Sequence, residues 1–492
     1  MSKASKPMSN NNQKTACIIG GGMSGLFTGA LLAKNGYKVT VLEKNHIIGG
    51  GLQSFRRGDA VFNTGMQAFC GYDDNFTLPH FLDYVGINRS DLKIVPTDND
   101  AQEIVWVDKS HCFKLPKGRL NYEKYLTSQF PDEADGIHKL LDCIYEIGNT
   151  FDYFYMRRMQ QHPEAIQYAQ ITAEKLIRQY VKNETLVKLF GYVGPHLGYN
   201  LKKLPATELG MILTLYIEGS YRFADGNIQL AHALEQQISN TGGAVISDSE
   251  VTKIECSNNK LQCVYVRDTK FSSDTFVWAC APDILYKLGG ENIFRSSTNY
   301  RIKTYSSNSS NYNIYIKFKK NNFPYINSWV FIPSLETSED LPLYIAFITH
   351  PTSIQTEYAK TMEVCIPTHF SDFRKWKNTT LNNRTTDYEQ MKQQFGEKVI
   401  NYISKFYPEL QYSVETIEIS TPLTIRDFYG NPNGATYGQQ GLFMPIKTKI
   451  KNLFLTGQAI QYQGLFGVMA TSITTAETIL GKNLIEEIAA AK

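Results

Sequence analysis

The chain contains no run of about 18 consecutive apolar residues, so no membrane-spanning helix is expected. Its first 14 residues hold Lys, Ser and Asn but no apolar stretch, so they read as a disordered tail, not a secretory signal. Charge of one sign is scarce: the formal net charge is +3 over 492 residues. No electrostatic case for nucleic acid follows. The eight cysteines (Cys17, Cys70, Cys112, Cys143, Cys256, Cys263, Cys280 and Cys365) include no C-x-x-C pair, and no histidine cluster accompanies them. They read as free thiols of a reducing compartment, so a cytoplasmic protein without a metal site is expected. A Ser/His/Asp nucleophile motif and an H-E-x-x-H zinc motif are both missing. Internal repeats are missing too, and nothing signals an oligomeric state.

What is present is ordinary in bulk, with 42% hydrophobic and 20% charged residues. The length exceeds one hydrophobic core, so two or three domains are expected. Near the start, Cys17–Gly20 reads as a strand, Ser24–Lys34 as a helix and Lys38–Glu43 as a second strand, a β-α-β unit. Between strand and helix stand Gly20, Gly22 and Gly25 in G-x-G-x-x-G spacing. The first permits a tight turn, the second lets backbone approach a pyrophosphate, and the third lets helix and strand pack closely. The helix N-terminus then offers free N–H groups and a partial positive charge to the phosphates. Glu43 ends the second strand, 18 residues after Gly25; a carboxylate there accepts from ribose hydroxyls and repels a 2′-phosphate. No second G-x-G-x-x-G for a nicotinamide cofactor occurs. His46, in the following turn, reads as an exposed loop residue.

Further on, Ile137, Leu140, Leu141, Ile144, Gly148, Phe151 and Tyr155 recur at helical spacing, and a second helical stretch covers about 165–190. Tyr312, Ile314, Ile316 and Phe318 alternate with Asn313, Tyr315 and Lys317, the period of a half-buried strand. Residues 387–406 read as helix. Asn452–Gly457 reads as a strand entering a glycine turn before a helix over Leu465–Leu480. Phe151 to Met159 mixes aromatics with Arg157 and Arg158. This suits either a helix packed on the core or an interfacial helix, and so leaves peripheral membrane contact open.

A second glycine pair, Gly49-Gly50, follows Glu43 in an E-x5-G-G pattern. With it the N-terminal segment resembles the flavoprotein superfamily of amine oxidases, phytoene desaturases and carotenoid isomerases, although Gly51 stands where that family usually has arginine. Four more segments resemble the phytoene desaturase and retinol saturase branch. One is Phe62-Asn63-Thr64-Gly65-Met66-Gln67, with Asn63 in place of the usual Asp. Another is Tyr221–Gln229 with Ala233-Leu234 and Gly242-Gly243, leading to Val251. The third is Thr421-Pro422-Leu423-Thr424 with Tyr429, Gly434 and Tyr437-Gly438. The last is Asn452–Gln458 with Gly464, Gly467 and Val468, where Gln458 replaces the usual acid. The resemblance runs from Thr15 to about Gly481.

The resemblance implies an α/β fold: an FAD-binding Rossmann-like domain of the glutathione-reductase type with an inserted α+β substrate domain. The FAD-binding domain is expected over 15–105, 215–285 and 415–485, a helical cap over 106–214 and a sheet over 286–414. It implies FAD as cofactor, held by Gly20, Gly22, Ser24, Gly25, Glu43, Lys44, Gly49, Gly50, Gly51, Gly65, Met66, Val251, Gly457, Gln458, Gly467 and Val468. It implies an apolar, extended, unsaturated small-molecule substrate and hydride chemistry carried by the flavin. Gln67 and Tyr437 are the expected catalytic side chains beside the ring, Tyr437 as a proton donor or acceptor. Other readings stay open at this stage: an amine oxidase, a polyene-tailoring reductase or cyclase, or a flavin-free prenyl-lipid carrier like the Rab GDP-dissociation inhibitors.

Overall fold

The computed structural model describes residues 13–158, 160–304, 309–335, 341–354, 357–437 and 444–491. Residues 1–12 of the expected tail, Met159 and Gly438 lie outside the described residues.

The expected β-α-β unit is present as strand Thr15–Ile19, helix Met23–Lys34 and strand Lys38–Leu42. It forms the centre of a five-stranded parallel sheet in the order Ala244–Ile246, Lys38–Leu42, Thr15–Ile19, Thr275–Trp278, Leu453–Leu455. Helices cover such a sheet on both faces, so its central strands are continuous apolar runs without alternation. Cys17, Ile18, Phe276, Val277, Leu453 and Leu455 are all buried. The helix Met23–Lys34 is apolar nearly all round because it is enclosed between this sheet and the helices Ile228–Asn240 and Gly464–Leu480. The last long helix of the chain thus packs on the first.

A seven-stranded sheet lies in the order Val414–Ser420, Ser309–Phe318, Thr361–His369, Tyr344–Thr349, Trp329–Pro333, Glu103–Trp106, Cys112–Leu115. Neighbours run antiparallel except Trp329–Pro333 with Glu103–Trp106. Two expected boundaries therefore shift. The hairpin Glu103–Leu115 crosses the 105/106 limit, and Val414–Ser420 crosses 414/415, because both carry edge strands of this one sheet. Strand Ser309–Phe318 is also more enclosed than its alternation suggests. Tyr315, on the face expected to be polar, is buried against Phe55 and Phe62, 5.0 and 5.8 Å between ring centroids. The hairpin Ser54–Arg57/Ala60–Asn63 supplies that cover.

The helix-rich insertion holds Ala134–Asn149, Ala173–Tyr180, Glu184–Phe190 and Ala206–Glu218. The single helix expected over 165–190 is broken into three pieces. Thr172 and Asn183 interrupt it by capping the next helix with their side chains. The long helices Ala134–Asn149 and Ala206–Glu218 approach closely: a Cβ on Gly148 would stand 2.2 Å from the Thr214 hydroxyl oxygen.

The segment from Phe151 forms only a 3-10 turn, Asp152–Tyr155, not an interfacial helix. Its aromatics pack inward, with Phe154 4.9 Å from Phe466 and 5.4 Å from Phe151, while Arg157 and Arg158 are exposed. The buried Asp152 carboxylate ties the segment together, accepting from the Gln160 N–H at 2.7 Å and facing His162 Nε2 at 3.0 Å. Hydrogen bonds from Glu164 and Asp152 raise the His162 pKa. A raised histidine pKa contributes stability at pH below the unfolded value, about 6.5, and that stability is lost as pH climbs through the folded value. Proteolytic nicking within 150–165 is therefore expected to accelerate as the pH is raised above about 6.5, and His162→Gln is expected to flatten that dependence. Equal rates for the wild type across the range would contradict this.

Among the described residues no helix is long and apolar enough to cross a membrane.

Candidate active site

One cavity of about 690 Å³ runs from the glycine turn of the five-stranded sheet to the inserted helices and to Trp329 at the start of an interior strand of the seven-stranded sheet. Its phosphate end is built by backbone. Gly20 takes φ +109° and donates its N–H to the Leu42 carbonyl at 2.8 Å, which turns the chain sharply between strand and helix. The helix Met23–Lys34 starts at Gly22 with no side-chain cap and no acidic residue in its first turn. Its first N–H groups open on the cavity beside Gly22 and Ser24. A second helix N-terminus, Gly464–Leu480, is likewise uncapped and lines the same cavity with Gly464, Leu465, Gly467 and Val468.

The buried Glu43 accepts from the Gly21 N–H with Oε2 and from the Asn45 N–H with Oε1, each at 2.8 Å. These bonds aim the carboxylate at the cavity wall it shares with Lys44, Ser249 and Val251. Lys44 donates its Nζ to the Asp427 carbonyl at 2.9 Å. Gly50, Gly51, Gly65 and Met66 line the wall opposite, and Gly457 and Gln458 close it from the C-terminal strand. Gln458 donates from Nε2 to the Thr436 carbonyl at 3.1 Å.

Gly25 and Gly49 stand behind this wall. A Cβ on Gly25 would lie 1.9 Å from the Gly20 carbonyl oxygen, and Gly49 donates its N–H to the Gly21 carbonyl at 2.7 Å. His46 is exposed, 2.9 Å from Asp248.

Across the cavity, the two side chains expected beside the ring have different partners. Gln67 lines the cavity and donates from Nε2 to the Glu363 carboxylate at 2.9 Å. Tyr437 lines it too, but its hydroxyl donates to the Pro195 carbonyl at 3.0 Å, and burial raises its pKa far above the usual phenol range. The phenol thus already donates to a backbone carbonyl, and burial opposes its ionisation. Tyr437→Phe is expected to lower stability by about 1 kcal/mol and to leave turnover within a few-fold of wild type. A collapse of kcat would restore it to the chemistry.

The far end of the cavity is apolar and was not legible as a motif. Met211, Ile212, Leu215 and Tyr216 contribute one face of the helix Ala206–Glu218, and Phe69, Trp329 and Phe466 complete it. His196 lies between Tyr216 and Trp329, with ring centroids 4.4 and 4.2 Å away. Burial holds its pKa down to about 3, so it is neutral. The helical period of 211–216 was the one sequence signal for this wall, and it reads equally as core.

Comparison with known proteins agrees with this geometry. A sequence profile described as "Flavin containing amine oxidoreductase" matches residues 23–480. The chain belongs to that family. Its cofactor is accordingly FAD, and it is a flavin-dependent oxidoreductase. All-trans-retinol 13,14-reductase of Danio rerio is 22% identical over 95% of this chain and 86% of its own length. The chloroplastic prolycopene isomerase of Daucus carota is 23% identical over 96% and 81%. A solved oxidoreductase from Methanosarcina mazei shares the fold with a TM-score of 0.67 at 16% identity, covering 95% of this chain and all of that one.

The site fits the cofactor of this family on its own terms. A Cβ on Gly22 would meet no protein atom nearer than 3.9 Å, so the space beside the turn is open to a ligand. The two uncapped helix N-termini supply N–H donors and positive potential for a pyrophosphate and for negative charge on a reduced flavin. At position 51, where arginine is usual, a Cβ would meet only the Tyr429 hydroxyl, at 3.8 Å, so glycine there is not required by packing.

Proposed function

We propose that this flavoenzyme acts on carbon–carbon bonds of an extended, apolar, unsaturated substrate. The observation that carries the reading is the continuity of one cavity. The walls expected to hold a dinucleotide pass without interruption into a box of aliphatic and aromatic side chains whose one imidazole, His196, is neutral. FAD, when bound, supplies hydride transfer at its N5 to or from a substrate carbon. The residues named for the cofactor do the holding: the turn 20–25 and Gly457 through backbone, Glu43 through its carboxylate. Gln67 presents the polar side chain at the junction of the two ends. The inserted helices exclude water and align the chain of the substrate, which has no ionisable group to grip. The relatives act, by their names, on retinol and prolycopene, both extended polyenes, and this supports the same substrate class here.

Purified protein is expected to be yellow. Anaerobic assays with retinoids and carotenoids, followed by product mass, test the substrate class. Turnover of amines with no reaction on any polyene would replace the reading with that of an amine oxidase, and protein that stays colourless after incubation with FAD would replace it with a carrier. Peripheral membrane contact, which would serve collection of an apolar substrate, now rests on the exposed Arg157 and Arg158 beside the cavity-lining turn. Flotation with anionic liposomes, lost in the double Arg→Glu variant, is the expected result; full recovery of the wild type in the unbound fraction would remove it.

A further inference from the structure

A buried line of polar groups runs away from the cavity behind Gln67. Glu363, on strand Thr361–His369, accepts from Gln67 Nε2 with Oε1 at 2.9 Å and lies 3.1 Å from His350 Nε2 with Oε2. His350 Nδ1 is 3.4 Å from Asn63 Nδ2. Asn63 Oδ1 accepts from the Ser54 hydroxyl and from the Asn227 N–H, both at 2.9 Å. Glu363, His350 and Asn63 are all buried.

The donors and acceptors settle every orientation in this line. With Oδ1 occupied by two donors, the Asn63 amide turns its NH2 to His350. Nδ1 of His350 is then the acceptor, and Nε2 donates to Glu363. Both Glu363 oxygens accept, one from each side. Gln67 must therefore direct its NH2 to Glu363, and its carbonyl oxygen is left for the cavity. An aspartate at position 63, the residue usual in the resembling branch, has no NH2 to offer. Burial raises the Glu363 pKa, and the bonds from His350 and Gln67 act against that rise.

We propose that His350 and Glu363 are positioning residues that lock the Gln67 amide with its carbonyl toward the flavin, so that the site offers an acceptor there. The proposal rests on the flavoenzyme reading above. Oxidised flavin accepts at N5, whereas reduced flavin carries a hydrogen there and donates. An acceptor from the protein thus favours the reduced form and raises the midpoint potential.

The test is potentiometric titration of FAD-loaded protein. In Glu363→Gln the new amide must accept from His350 with its carbonyl, which turns its NH2 to Gln67 and forces the Gln67 amide to flip. The cavity then meets a donor, and the potential is expected to fall by at least tenfold in the reduction equilibrium, about 30 mV for a two-electron couple. Gln67→Leu, at a half-buried position, is expected to lower it as well. In the Gln67→Leu background, Glu363→Gln is expected to add nothing, since its effect passes through Gln67. An unchanged potential in Glu363→Gln, or the same shift with Gln67 absent, would overturn the proposal. Wild-type protein that binds FAD but turns over no polyene would instead overturn the substrate reading, leaving this result to stand by itself.

Discussion

Gly22→Val is expected to give a folded protein that cannot hold FAD. Gly22 takes φ −77° and ψ 179°, extended backbone that a β-branched residue adopts without strain. A Cβ there meets only the Gly50 Cα at 3.9 Å, so the apoprotein has no new clash to relieve. The isopropyl group would instead fill the space over the uncapped helix N-terminus. It would keep a pyrophosphate from the N–H groups that no side chain caps. The dissociation constant for FAD should rise by about 100-fold or more, equivalent to roughly 2.8 kcal/mol. The melting temperature of the apoprotein should stay close to that of wild-type apoprotein. Yellow protein at wild-type occupancy would show that the pyrophosphate lies elsewhere.

Three residues along the same loop, Gly25→Ala is expected to fail in a different way. The added methyl would lie 1.9 Å from the Gly20 carbonyl oxygen and 3.2 Å from the Ala279 Cβ. Its closest neighbour is backbone, inside the turn that joins the central strand to the most buried helix, so no flexible side chain can yield. Overpacking of this kind costs about 3 kcal/mol or more when nothing relaxes, a large share of a total stability of roughly 5–15 kcal/mol. Urea unfolding of the apoprotein is the suitable measurement, because it separates the loss of fold from the loss of ligand. An unchanged midpoint would mean that helix and strand can part without cost. Together the two substitutions divide one motif into a ligand-facing glycine and a packing glycine.

The nucleotide half of the fold was legible because its demands are local. A turn at Gly20, a close approach at Gly25 and a carboxylate at the end of the next strand are fixed by neighbours within a few dozen residues, and each leaves a residue type behind. The second half of the site was less so. His196, Trp329 and the face Met211–Tyr216 meet only through the packing of inserted helices on the seven-stranded sheet, and a buried aromatic at a cavity has the same identity as one in a core. The two shifted boundaries have a similar origin. Glu103–Trp106 and Val414–Ser420 are short strands whose membership is decided by partners more than 200 and about 100 residues away, Trp329–Pro333 and Ser309–Phe318. Tyr437, expected as a catalytic side chain, lines the cavity, but its hydroxyl partner, the Pro195 carbonyl, lies 242 positions away and left no trace in the local pattern. Conversely, Asn63 stood out as a departure from the resembling family, and its amide nitrogen lies 3.4 Å from His350 Nδ1.

The most direct test of the central claim is an anaerobic reaction of the FAD-loaded protein, oxidised and reduced in parallel, with a panel of retinoids and carotenoids, read by flavin absorbance and product mass. A polyene is expected to change the flavin spectrum while it gains or loses two hydrogens, or to isomerise at constant mass in one flavin redox state only. Flavin that stays indifferent to every polyene in both states, yet is bleached by an amine, would contradict the account.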